Sequence, residues 1–180
     1  MHARMQNPVM VVPAAMQALQ TLAASARKSG VPERTLELVN LRASQIHGCS
    51  ACVDIHPRLA KKAGETDERL LAVAAWRESP YFSEAERAAL ALGEALTRLS
   101  DRADAVSDEV WTEAARHYDA LALAALIIAI ATINVWNRLN VAVRQPAGEM
   151  EAISGCGGEA RFAAPLRTAR CSAYAGWADG

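Results

Sequence analysis

The chain has 180 residues, of which 52% are hydrophobic, 5% aromatic and 22% charged, and its formal net charge is −1. This length suits one domain with a sizeable core, and the near-neutral charge gives no electrostatic reason to expect a nucleic-acid or anionic-membrane partner. Abundant alanine and leucine with few aromatic residues favour closely packed helices over a β-sandwich. The composition therefore predicts an all-α protein.

The two most apolar stretches do not indicate export or a membrane span. The N-terminal MHARMQNPVMVVPAAM is interrupted by prolines and lacks the unbroken apolar run of a signal peptide. Residues 120–136 form an apolar run shorter than the roughly 20 residues that cross a bilayer, which predicts a buried core helix. We therefore expect a cytoplasmic protein, in which a CxxC pair is more often redox-active or metal-binding than a structural disulfide.

Helical periodicity recurs along the chain, and no segment alternates as a strand does. A capping box at Ser83 and Glu86 predicts the start of one helix. Thr66, Ser107 and Asp119 are predicted N-caps of three others. The chain should form about seven helices, over residues 14–28, 32–48, 49–64, 66–76, 83–99, 107–117 and 119–146.

The composition changes near residue 151, where glycine, alanine and arginine become frequent and helical periodicity stops. We expect residues 1–150 to form a single-domain helical bundle and residues 151–180 to be a poorly ordered tail. Cys156 and Cys171 lie in that tail without a histidine or a second pair beside them. They receive no functional assignment.

The stretch HGCSACVDIH, residues 47–56, carries the most chemistry in the chain. If residues 49–56 are helical, Cys49, Cys52 and His56 fall within an arc of about 60°, whereas His47 lies on the other side. A helix N-terminus favours a thiolate at Cys49, but a histidine one turn away favours proton removal from Cys52. The two cysteines are also close enough for a disulfide.

A thiolate beside a second thiol can reduce a peroxide, because the sulfenic acid that forms condenses with the second thiol to a disulfide. Glu37 lies among apolar residues of the preceding helix, and a buried carboxylate there needs a partner. A Glu37–His56 pair would supply a proton relay to the thiols. Two alternatives stay open, namely two buried structural thiols and a zinc site without a clear fourth ligand.

These residues match the pattern E-x6-S-Q-x3-C-x2-C-x3-H, which here comprises Glu37, Ser44, Gln45, Cys49, Cys52 and His56. With the segments WRESP, FSEAERAAL and IATINVWNRLNV, the chain resembles the AhpD-like alkylhydroperoxidases of the carboxymuconolactone decarboxylase superfamily over roughly residues 8–148. The resemblance implies an AhpD-like helical bundle, trimers or hexamers, and thiol-dependent peroxidase activity without a bound cofactor or metal. It also implies that Cys52 attacks the peroxide and Cys49 resolves.

The same resemblance implies a hydroperoxide substrate and an external dithiol reductant, such as a lipoyl-bearing adaptor or a thioredoxin-like protein. Ser44, Gln45 and His47 would support the catalytic set of Cys52, Cys49, His56 and Glu37.

The chain departs from well-studied members at Ser50 and Ala51, where they carry a further histidine, and at Pro57 inside the CxxC helix. A redox-sensing or scaffold protein of the same fold is the alternative function. The decarboxylase branch is disfavoured because it typically lacks the CxxC.

Overall fold

The computed structural model describes residues 2–101 and 103–148, and these contain helices but no strand. The all-α, single-domain prediction is confirmed. The expected domain end and tail, with Cys156 and Cys171, lie outside the described residues. The helices are α1 (Pro8–Val11), α2 (Pro13–Arg27), α3 (Glu33–His47), α4 (Ser50–Lys62), α5 (Asp67–Ala72), α6 (Glu84–Thr97), α7 (Asp108–His117) and α8 (Ala120–Val143), with 3₁₀ turns at Val73–Ala75 and Leu99–Asp101.

Local capping signals place several helix starts where the sequence predicts them. At α6, the Ser83 hydroxyl accepts the Glu86 N–H at 3.3 Å, and the Glu86 carboxylate accepts the Ser83 N–H at 2.9 Å. Thr66 and Asp119 accept the N–H groups of Arg69 and Ala122 in the same way. The reciprocal bonds of α6 satisfy donors that a helix start otherwise leaves unpaired.

Three boundaries differ from the sequence prediction. The short α1 was not expected, and Asn7 caps it by accepting the Val9 N–H. The helix after Thr66 changes to a 3₁₀ turn at Val73. The long α8 ends at Val143, before Pro146, because Arg144 adopts a left-handed conformation with φ 56°. The end of a helix is therefore set here by backbone conformation rather than by the next proline.

Helices α3 and α8 form the centre of the bundle, and α8 packs against α2, α3, α4, α6 and α7. Among the described helices, α8 alone is long and apolar enough to cross a membrane, with a mean hydropathy of 2.0, but half of its apolar window is buried inside the fold. Gly93 on α6 allows the close approach of α3, since a Cβ there would lie 2.9 Å from Cγ1 of Val39.

The junction between α3 and α4 positions the site residues. Gly48 ends α3 in the left-handed region, with φ 66°, and its N–H is bonded back to the last turn of that helix. Glycine adopts this conformation without steric cost. The chain then turns at once into α4, so that the end of α3 and the start of α4 both lie against α8.

Candidate active site

The two cysteines of the CxxC pair lie at the N-terminus of α4 as free, buried thiols, with exposed fractions of 1% for Cys49 and 2% for Cys52. Cys49 is the N-cap in an extended conformation, and its sulfur accepts the Cys52 N–H at 3.4 Å. The predicted arc of three side chains on one helix face therefore holds only for Cys52 and His56, because Cys49 precedes the helix. Cys52 and His56 lie one turn apart, about 6 Å along the axis of α4. Pro57 does not interrupt α4, which continues to Lys62.

The two thiols differ in acidity because of their places at the helix start. A hydrogen bond from the Cys52 thiol lowers the pKa of Cys49 to about 7 against the opposing effect of burial, and the N–H groups of Cys52 and Ala51 and the Asn140 side chain add to this. The neighbouring Cys49 and burial raise the pKa of Cys52. The pair thus loses its first proton from Cys49, as the helix N-terminus argument predicts.

This acidity predicts the pH dependence of the first alkylation by iodoacetamide. Since only the thiolate reacts, the rate at Cys49 should rise about tenfold per pH unit below a midpoint near pH 7 and level off above it. A rate profile by peptide mass spectrometry measures this midpoint and separates Cys49 from the tail cysteines. A midpoint near 9, the ordinary cysteine value, would contradict the proposed stabilisation at the helix start.

A buried carboxylate and a histidine form the second part of the site. Glu37 on α3 is fully buried, and His56 Nδ1 donates to its Oε2 at 2.7 Å. Arg27 at the end of α2 donates to Oε1 at 2.7 Å and forms a further ion pair with the exposed Glu33. Burial would raise the pKa of Glu37, but His56 and Arg27 outweigh it, so that this pKa lies below its usual value.

The charge on Glu37 determines which nitrogen of His56 can act as a base. An ionised carboxylate only accepts, so Nδ1 of the ring carries a proton, and in the neutral form of the ring the lone pair lies on Nε2. In the described part of the chain, Nε2 has no hydrogen-bond partner. Glu37 also stabilises the imidazolium that forms when Nε2 takes a proton, which is the role of an orienting carboxylate beside a histidine base.

Three buried asparagines on α8 each hold a different residue of the α3–α4 junction. Asn140 Nδ2 donates to Cys52 Sγ at 3.2 Å, and Asn137 Oδ1 accepts from Ser44 Oγ at 3.1 Å. Asn134 Oδ1 accepts from His47 Nε2 at 2.7 Å. The spacing of three residues places them along one face of α8.

The sequence-predicted supporting residues therefore have distinct environments. Ser44 is buried, and its hydroxyl also contacts the Asn40 carbonyl at 2.7 Å. His47 is half-buried and bound to α8 rather than to the thiols. Gln45 accepts from Arg42 Nη1 at 3.3 Å. Ser44 and His47 tie α3 to α8, and Gln45 fixes an arginine within α3.

The residues that the sequence does not predict to belong to the site are Arg27, Asn7, Asn134 and Asn140. The segment INVWNRLN carries part of the resemblance, but it predicts no role for Asn134 or Asn140. The three-residue spacing of asparagines in this apolar helix was the available signal, because a buried amide needs partners. Arg27 carried no such signal.

The zinc hypothesis finds no support in this geometry. Across residues 2–101 and 103–148, no three His, Cys, Asp or Glu side chains are grouped so as to hold a metal ion. His56 already binds Glu37 through Nδ1, and the Cys52 sulfur receives a hydrogen bond from Asn140. These partners suit proton transfer and thiolate stabilisation.

Sequence and structure comparisons identify the family. Residues 13–95 match the carboxymuconolactone decarboxylase family. The uncharacterized protein YdfG of Bacillus subtilis (strain 168) is 34% identical over 133 residues, which cover 74% of this chain and 89% of that protein. The chain belongs to the carboxymuconolactone decarboxylase family. Its resemblance to AhpD-like members is confirmed at the level of family and fold.

Two solved structures share the fold. One is a protein of unknown function from Agrobacterium tumefaciens, suggested to be an antioxidant defence protein AhpD; it has a TM-score of 0.75 and 31% identity, covering 81% of this chain and 98% of that chain. The other is the apo debrominase Bmp8, with a TM-score of 0.70 and 22% identity, covering 81% and 77%. The second likeness concerns the fold alone, and this family fold therefore accompanies more than one chemistry.

Proposed function

We propose that this chain is a thiol-dependent peroxidase that reduces organic hydroperoxides or hydrogen peroxide through a dithiol–disulfide cycle of Cys49 and Cys52. The observation that carries the proposal is the combination of two neighbouring thiols, one with a pKa lowered to about 7, with His56 one helical turn away and hydrogen-bonded to an ionised Glu37. The first group supplies the nucleophile, and the second supplies and removes protons.

In the proposed cycle, His56 accepts the proton that the thiol pair loses, and Glu37 stabilises the resulting imidazolium. The remaining proton shifts between the two sulfurs; when Cys49 carries it, the Cys52 thiolate attacks the terminal peroxide oxygen. The O–O bond breaks, Cys52 becomes a sulfenic acid, and the leaving alkoxide takes the proton of His56. The Cys49 thiol then attacks the Cys52 sulfur, which releases water and forms the disulfide.

An external dithiol must return two electrons to this disulfide. We propose a lipoyl-bearing adaptor or a thioredoxin-like protein, since either can exchange thiols with a disulfide. We also propose a homo-oligomer, a trimer or hexamer. The supporting observation is an exposed apolar side of α8, where Leu121 and Val135 lie within about 40° of each other around the helix and are 65% and 40% exposed.

One observation favours a second candidate, a redox-sensing protein whose pair oxidises with little turnover. Both sulfurs are almost fully buried, so a bulky reductant can reach the disulfide only if the α4 start opens. In that case the pair would form its disulfide once per oxidation event. Turnover separates the two candidates.

The test measures peroxide consumption by the purified chain with excess dithiothreitol or dihydrolipoamide, using hydrogen peroxide and cumene hydroperoxide. We expect many turnovers per chain, and none above background in the double variant Cys49→Ser/Cys52→Ser. Equal rates for the two proteins would show that the peroxidase proposal is wrong. A disulfide that forms once, without continued consumption, would support the redox sensor instead.

A further inference from the structure

A chain of hydrogen bonds connects the N-terminal segment to the Cys52 sulfur. Asn140 directs its Nδ2 at Cys52 Sγ, at 3.2 Å, and its Oδ1 accepts from Asn7 Nδ2 at 2.6 Å. The Oδ1 of Asn7 in turn accepts the backbone N–H of Val9 at 3.3 Å. Both asparagines are buried, so water does not compete for these groups.

The backbone fixes the direction of every bond in this chain. A main-chain N–H only donates, so Val9 makes Oδ1 of Asn7 an acceptor and leaves Nδ2 as its donor. That donor makes Oδ1 of Asn140 an acceptor, and Asn140 then has only an N–H to present to Cys52. A donor at this distance favours negative charge on the sulfur over a protonated thiol.

The position of Asn140 matters for the cycle because Cys52 lacks what Cys49 has. Cys49 caps α4 and receives backbone N–H groups of that helix. Cys52 is inside the first turn, where its own N–H is already bonded to the Cys49 sulfur. Side-chain donors must therefore stabilise the charge when the proton of the pair moves from Cys52 to Cys49, and these are the Asn140 amide on α8 and the Ser44 hydroxyl on α3.

We propose that Asn140 is a catalytic residue that stabilises the Cys52 thiolate as it attacks, and that Asn7 is a positioning residue that sets the orientation of the Asn140 amide. The catalytic part rests on the proposed peroxidase function, whereas the effect on the thiols does not. The N-terminal segment before α2 thereby becomes part of the site, although it is 133 residues from Asn140 in the chain.

The test reverses the hydrogen bonds of the Asn140 amide by a substitution at Asn7. In Asn7→Asp the carboxylate only accepts, so it attracts Nδ2 of Asn140 and leaves Oδ1 facing Cys52. The midpoint of the alkylation pH profile belongs to Cys49, whose pKa the Asn140 side chain also lowers. We expect it to rise by at least about one unit, which slows alkylation at pH 7 about fivefold or more. Asn140→Asp places a carboxylate against the sulfur and should shift the midpoint further in the same direction.

Two further variants control for charge and for folding. Gln6→Glu makes the same amide-to-carboxylate change at the exposed neighbouring position and should leave the midpoint unchanged. Asn7→Ser keeps an N-cap oxygen for Val9 but no longer reaches Asn140, so it should give a smaller rise without added charge. Circular dichroism and thermal unfolding establish that each variant is folded before its midpoint is compared.

The proposal is overturned if folded Asn7→Asp and Asn7→Ser both have the midpoint of Gln6→Glu. A shift in Asn140→Asp alone would also overturn the positioning role of Asn7. If the midpoints move as expected but the wild-type chain consumes no peroxide, the hydrogen-bond inference stands and the peroxidase proposal fails. The alkylation midpoints therefore test the hydrogen-bond inference separately from the peroxidase proposal.

Discussion

Replacing Cys52 with serine is expected to abolish peroxide turnover, whereas Cys49→Ser should still react once and accumulate a sulfenic acid on Cys52. A serine hydroxyl is not ionised at neutral pH, so the loss at Cys52 should exceed about 10³-fold. Without Cys49 the attack remains possible, but no second thiol is present to form the disulfide. Two measurements distinguish the variants: steady-state peroxide consumption, and sulfenic acid trapping by dimedone with peptide mass spectrometry.

This order of attack is consistent with the different surroundings of the two sulfurs. Cys52 shares α4 with His56 and receives the Asn140 donor, so both proton removal and charge stabilisation are available to it. Cys49 has the lower pKa, which suits a resolving thiol that must react promptly at neutral pH. Cys171→Ser, the same chemical change in the tail, is the control and should leave turnover unchanged. Sulfenic acid on Cys49 in the Cys52→Ser variant would reverse the proposed order.

The parts of the fold that could be predicted from the sequence are those encoded by neighbouring residues. The Ser83–Glu86 capping box and the Asp119 cap involve groups three residues apart, so a short stretch of sequence specifies them. The CxxC at a helix start was predictable for the same reason. The four-residue α1 was missed because it is too short to show periodicity.

The contacts that complete the site join residues far apart in the chain. Arg27 reaches Glu37 across a separation of 10 residues and a change of helix, while Asn140 reaches Cys52 across 88. Such pairs depend on how α2 and α8 pack on α3 and α4, which periodicity does not determine. The burial of Glu37 was predictable from its apolar neighbours in sequence, but Arg27, which keeps the carboxylate charged, was not.

The backbone conformation at Gly48 determines which of the two thiols is the more acidic. The sequence supported Cys49 through the helix N-terminus and Cys52 through His56, and Cys52 was favoured because a histidine supplies both proton removal and a hydrogen-bond donor. In the structure Gly48 takes φ 66°, and this turn makes Cys49 the N-cap, whose sulfur receives the N–H groups of α4. The lower pKa of Cys49 follows from that position, whereas the reactivity of Cys52 depends on side chains of α4 and α8.

Replacing Glu37 with glutamine is expected to lower peroxide turnover about 10²-fold, the size of effect typical of an impaired general base. The amide keeps the shape of the side chain and can still accept from His56, but it no longer stabilises an imidazolium. The matched control is Glu33→Gln, which removes the second carboxylate that pairs with Arg27. The side chain of Glu33 is 60% exposed. It should keep nearly full turnover, because Glu37 and His56 stay paired.

The pH dependence of stability separates a charge effect of Glu37 from a packing effect. Because its pKa is lowered in the folded state, the unfolded chain takes up a proton first as the pH falls below about 4.5. The contribution of the charged pair is thus fully present above that pH and is lost as the pH falls through the folded-state pKa. Replacing His56 with glutamine removes the titrating ring but leaves Glu37 paired with Arg27. Urea unfolding at pH 7 and pH 4 should therefore show a larger loss for His56→Gln than for His56→Gln/Glu37→Gln. Equal losses would contradict an ionised Glu37, and turnover of Glu37→Gln within twofold of the wild type would contradict its action on His56.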